Sequence, residues 1–112
     1  MELTGKCKEE FEVWYIPYIR KNPFVGDRYF DDTLITQFYE WSDSMQYGVY
    51  VDYFDSVGIM ISVPYTYNVT MNGCDWFHVR VDNKYVVNGL KTRPEARQKA
   101  IEKANELRNE QL

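Results

Sequence analysis

Histidine is almost missing from this chain of 112 residues: His78 is the only one, so any imidazole chemistry rests on that side chain. Cysteine is nearly as scarce. Cys7 and Cys74 are too far apart in sequence to match any metal-binding or redox spacing, and two reduced, buried thiols are expected. No apolar run approaches the roughly 18 residues of a membrane span, and no apolar segment of signal-peptide type opens the chain. A basic surplus is lacking as well. The formal net charge is -4, against the high pI of generic phosphate-backbone binders. The sequence contains no P-loop, no G-x-G-x-x-G, no H-E-x-x-H and no serine in a G-x-S-x-G setting. No cofactor and no metal site is therefore expected. Asn68-Val69-Thr70 fits a glycosylation sequon, but without a secretion signal it carries no weight.

What is abundant is aromatic. Aromatic residues make up 17% of the chain, ten of them tyrosines, and apolar residues 45%, so the chain folds. At this length a single domain, 1–112, buries roughly two-thirds of its unfolded surface. A tyrosine-rich interior leaves many phenolic hydroxyls in need of partners.

Residues 4–16 read as an amphipathic helix, with Leu3, Cys7, Phe11, Trp14 and Tyr18 at helical spacing and Pro17 expected to end or kink it. A loop follows, which Phe24 and Tyr29-Phe30 are expected to pin to the body. Asp31-Asp32 are placed to cap a second helix with Leu34, Phe38 and Trp41 on its apolar side. Residues 45–57 alternate like a strand at Tyr47, Val49, Val51 and Tyr53. They also form a broad helical arc of Val49, Tyr50, Tyr53, Phe54 and Val57, with Gly48, Asp52, Asp55 and Ser56 opposite. Ser44 as N-cap and Gly58 just past the C-terminus favour the helix, which should be buried between other elements.

From Ile59 onward the period changes to two. Odd positions from Ile59 to Met71 are apolar or aromatic, even ones largely polar, and Asn72-Gly73 precedes a second run through Trp76, Phe77, His78, Val79, Arg80 and Val81. A two-residue turn would split the apolar residues between faces. A three-residue loop, Met71-Asn72-Gly73, sets Tyr67 against Phe77, Tyr65 against Val79 and Val63 against Val81, which burial favours. A two-residue turn within Asp82-Asn83-Lys84 would place Val86 with Val79 and Val81. Tyr85 and Val87 would then lie with Trp76 and His78, and Asn88-Gly89 would end the strand. Thr92-Arg93-Pro94-Glu95 is a capping box opening a last helix, with Ala96, Ala100, Ile101, Ala104 and Leu107 inward, Glu95 paired with Lys99, and fraying from about Asn109. The expected fold is α+β: three helical segments, a three-stranded antiparallel meander and a C-terminal helix, in two layers or with the sheet between helices.

The blocks 45–59 (Met45-Gln46-Tyr47-Gly48-Val49-Tyr50-Val51-Asp52-Tyr53-Phe54-Asp55-Ser56-Val57-Gly58-Ile59) and 92–104 (Thr92-Arg93-Pro94-Glu95-Ala96-Arg97-Gln98-Lys99-Ala100-Ile101-Glu102-Lys103-Ala104), with residues 3–14, cover about half the chain and resemble small uncharacterised phage and prophage proteins. That resemblance brings no activity or catalytic residue. It implies a bacterial or viral, cytoplasmic setting and supports the helical reading of residues 45–57.

Three functional readings follow. The leading one is a small protein-binding or accessory module whose second sheet face, with Trp76, His78, Arg80 and Tyr85, engages a protein partner or a second copy, since Trp, Tyr and Arg anchor interfaces. The opposing reading has helices covering that face. A second function is nucleic-acid binding through Lys91, Arg93, Arg97 and Lys99 around the start of the last helix. The order helix, three strands, helix is similar in topology to the double-stranded-RNA-binding domain. Here the usual lysine run is replaced by Thr92-Arg93-Pro94-Glu95, and two extra helical segments precede the sheet. A third is a small hydrolase using His78, which would require Cys7, Cys74, Asp52 or Asp55 in the same pocket. Asp52 and Asp55, one turn apart, are otherwise a solvated strip.

Overall fold

The computed structural model describes the backbone of residues 1–63, 65–68, 74–83 and 85–112; the side chains of 65–68, 74–76, 85 and 88 lie outside the described residues. Four helices and an antiparallel sheet follow in the order α1 Gly5–Arg20, α2 Asp31–Glu40, α3 Asp43–Ser56, β1 Ile61–Ser62, β2 Tyr65–Asn68, β3 Cys74–Val81, β4 Tyr85–Leu90 and α4 Arg93–Gln111. This is the expected α+β order, with the first strand of the meander in two pieces that both pair with β3, and β4 on the other side of β3.

Pro17 does not end α1, which runs on to Arg20. The carbonyl that a proline leaves without a partner belongs to the residue four back, Val13. Both Val13 and Pro17 face solvent, so that carbonyl is left on the open side of the helix. Asp31 and Asp32 sit in the first turn of α2 behind Phe30 at the cap position, so they meet the helix dipole and do not cap it with a side chain. Residues 43–56 are helical, as the caps predict, although the cap position is Ser42 and not Ser44, its carbonyl accepting from Met45 and Gln46. At the far end Ile59 N–H bonds the Phe54 carbonyl and Gly58 N–H bonds that of Asp55, while Gly58 takes φ +83. That is a Schellman motif, and the side chains at its two ends, Phe54 and Ile59, are both fully buried.

The strand register departs from expectation by two residues. Tyr65 pairs with Phe77 and Ile61 with Val81, where Tyr67–Phe77 and Val63–Val81 were expected. An even shift keeps every side chain on its face, so it costs no burial. The expected loop Met71-Asn72-Gly73 lies outside the described residues. The second turn differs by one, which does exchange faces. Val81 pairs with Tyr85 and Val79 with Val87, so three residues intervene instead of two, and Asp82 and Asn83 both take left-handed backbone. Val87 therefore packs on the core, and Val86 is 51% exposed. Asn88-Gly89 does not end β4. It supplies an extra residue between the Val79–Val87 and Phe77–Leu90 pairs, a bulge that returns Leu90 to the core side.

α4 is the spine of the molecule. Thr92 caps it, its hydroxyl accepting from Glu95 N–H at 3.3 Å. The alanines at 96, 100 and 104 are fully buried, and the helix packs on β3 and β4 as well as on α1 and α3. Lys99 makes its ion pair with Glu102, at 3.7 Å, and not with Glu95. The end of α4 does not fray at Asn109, because that side chain is bound to the start of α1. The helical end of the core is an aromatic cluster centred on Phe11, whose ring lies 4.9 Å from Tyr50, 5.1 Å from Phe38 and 5.3 Å from Tyr53.

Candidate functional site

A part-buried polar cluster lies at the helical end. α1 presents Cys7 and Glu10 one turn apart, α3 presents Tyr53 and α4 presents Arg108. Arg108 grips Glu10 with two bonds of 2.8 Å, Nε to Oε1 and Nη2 to Oε2, and Tyr53 donates its hydroxyl to Glu10 Oε1 at 2.7 Å. Cys7 Sγ lies 3.8 Å from the Tyr53 oxygen. The Arg108 fork holds the Glu10 carboxyl below its usual range. Burial pushes the Cys7 thiol up to about 11, and burial followed by the bond to Glu10 raises the Tyr53 hydroxyl. Each shift disfavours a nucleophile: the thiol is protonated and the phenol holds its proton. The cluster ties three helices together. Glu10 and Arg108 sit in no local motif, and Tyr53 reads in the sequence only as part of the apolar arc of α3.

The expected hydrolase constellation does not assemble among the described residues. Asp52 accepts the Tyr18 hydroxyl at 2.6 Å, which pushes that phenol up to about 12, and Asp55 is exposed on the solvent side of α3. His78 is half-buried in β3 and lines neither the cleft beside Phe30 nor the one between Met1 and Ile101. The side chain of Cys74 lies outside the described residues. Cys7 is free and buried. No group of three metal-ligating side chains occurs among the described residues, and no described helix is long and apolar enough to cross a membrane.

The four basic residues at the start of α4 have different neighbours. Arg93 lies over the Phe77 ring at 5.5 Å and Arg97 over the Tyr47 ring at 5.1 Å, each on an aromatic face. Lys99 points to Glu102, and Lys91 is exposed ahead of the helix.

The sheet has two unlike faces. On one, Val79 and Val81 are fully buried beneath the helices. On the other, Ser62 pairs with Arg80 and Arg80 with Val86, so the three make a row across the sheet, and all three are exposed. Met60 continues the row's first strand into solvent, and His78 stands two residues from Arg80 on the same face. No described helix covers Arg80 or Val86. Of the expected partner-binding residues, Arg80 and His78 are therefore on one face. Trp76 is in β3 opposite Thr66 and Tyr85 is opposite Val81, and both side chains lie outside the described residues.

Comparison with protein-family models, with curated protein sequences and with solved structures finds no match to this chain.

Proposed function

We propose that the chain is a small, non-enzymatic protein-binding module that engages a partner protein through the uncovered face of its sheet. The observation that carries this reading is the exposed row Ser62–Arg80–Val86, one face of a sheet whose opposite face is the core. A permanent cation beside the apolar side chains of Val86 and Met60 is the composition of an interface centre. Trp76, which the sequence alternation puts beside His78 and Arg80, would be its aromatic anchor. The buried thiol and the fully committed Glu10–Arg108 pair favour binding over catalysis. The resemblance of residues 45–59 and 92–104 to phage and prophage proteins makes the bacterial cytoplasm the proposed setting.

The test is the double variant Arg80→Glu/Val86→Glu, purified from bacterial lysate beside the parent protein. Exposed substitutions away from caps and cores shift stability by only about 0.5 kcal/mol, so the melting temperature should barely move while co-purifying protein, or self-association, is lost. Retention of the same partner by the double variant sinks the reading.

A further inference from the structure

The charge of the chain is unevenly divided. Between residues 57 and 94, the stretch that carries the sheet, Arg80, Lys84, Lys91 and Arg93 outnumber the carboxylates of Asp75 and Asp82. The formal net charge is nevertheless -4, so the rest of the chain holds the whole negative surplus.

Neither of those two carboxylates belongs to the open face. Asp75 pairs with Tyr67, and strand alternation sets it on the side of Val79 and Val81, away from Arg80. Asp82 lies in the turn after β3, in left-handed backbone, and is already engaged. None of the strand positions that the register places with Arg80 is an aspartate or a glutamate. Arg80 itself is uncommitted. Arg20 and Arg108 hold carboxylates, and Arg93 and Arg97 lie over aromatic rings. Arg80 is exposed and has no hydrogen bond or ion pair among the described residues. Beside it Met60 is 71% and Val86 51% exposed.

The other exposed apolar surface lacks this asymmetry. Phe24 and Phe30 do not pin their loop but stand 80% and 85% exposed. Around them Lys21 and Arg28 balance Asp27 and Asp32, and Arg20 is paired with Asp31.

We infer that the occupant of the sheet face is an acidic protein segment, one that sets an aspartate or glutamate on Arg80 and apolar side chains on Val86 and Met60. This rests on the reading of that face as protein-binding and names the chemistry of what it binds. A carboxylate meets a guanidinium through two parallel bonds. No carboxylate on the face competes for Arg80, and none is there to receive a lysine, so the face discriminates against a basic segment. Nucleic acid is the poorer occupant. Met60 and Val86 offer nothing to a phosphate, and the net charge of -4 repels a long polyanion.

A fluorescent amphipathic helical peptide of leucine and glutamate is the probe, beside a leucine–lysine peptide of the same pattern and a duplex RNA. The glutamate peptide should bind, more weakly as salt rises. Arg80→Gln should weaken it by about tenfold and flatten its salt dependence. Met60→Ser/Val86→Ser should weaken it and leave the salt dependence alone. Phe24→Ser/Phe30→Ser should leave it unchanged. All of these positions are exposed, so equal melting temperatures verify folding. The inference is overturned by absent binding of the glutamate peptide, by equal binding of the lysine peptide, by indifference to Arg80→Gln, or by duplex RNA binding that depends on Arg80. The reading of the face fails separately, through retention of co-purifying protein by Arg80→Glu/Val86→Glu. A lysine peptide that binds and is lost in Met60→Ser/Val86→Ser overturns the acidic partner while keeping the face.

Discussion

Asn109, in the last turn of α4, caps α1: its Oδ1 accepts from Cys7 N–H at 2.9 Å while its Nδ2 donates to the Thr4 carbonyl at 3.0 Å. One turn earlier Asn105 does the same service for Thr4, accepting from its N–H at 3.0 Å and donating to its hydroxyl at 2.9 Å. Thr4 makes no side-chain cap of its own. Two amides at the start of α1, those of Thr4 and Cys7, are therefore satisfied from α4, which ties the first helix to the last.

Asn109→Ala should cost about 1–2 kcal/mol, the usual worth of a lost cap. Gly5→Ala should also destabilise, since Gly5 has φ +62 and an added Cβ would stand 3.0 Å from Asn109 Oδ1. Because the two act on one contact, the double variant should lose less than the sum in urea unfolding. Strict additivity would show that Asn109 is not the atom crowding Gly5.

The Glu10–Arg108 fork predicts an acid-side dependence. Glu10 titrates lower in the folded chain than its ordinary 4.5, so its contribution is complete above that value and disappears as pH falls through the lowered one. Glu10→Gln should cost about 1–3 kcal/mol at neutral pH, with the gap to the parent closing in acid. A gap that persists undiminished down to acid unfolding would mean the carboxylate charge is not what Arg108 recognises.

On the alkaline side the tyrosines decide. Burial raises Tyr15 to about 12 and lifts Tyr39, Tyr47, Tyr50 and Tyr53, while the Asp52 carboxylate takes Tyr18 to about 12. Folded values above the unfolded 10.0 mean stability that holds below that pH and declines as pH rises past it. Ultraviolet phenolate absorbance at about pH 11 should therefore report fewer than ten tyrosinates until the chain unfolds. One transition near the ordinary value for all ten contradicts the bonded hydroxyls.

Cys7, fully buried and with its thiol raised to about 11, should resist modification. In a Cys74→Ser background, Ellman's reagent should react roughly 100-fold more slowly with the native chain than with the unfolded one. Comparable rates would place the thiol at the surface.

The amino-acid sequence alone determined what depends on neighbours within a few positions. The Gly58 stop, the Thr92 cap, the alanine ladder from Ala96 to Ala104 and the inward alternation at Val79 and Val81 are each written in local spacing, because caps and periodicities act over one or two turns. Asn105 and Asn109 left a faint trace, two poor helix formers at i,i+4 inside a helix. Their partners could not be read, since Thr4 and Cys7 lie about 100 residues away. Tertiary structure decided the rest. Two or three residues in the turn after Val81 decide whether Val86 or Val87 faces the core, and no propensity distinguishes those valines. Whether Phe30 packs or stands in solvent depends on where Arg20 fastens the loop, and a three-bond staple to Gly26, Tyr29 and Asp31 exists only once α1 and α2 are side by side.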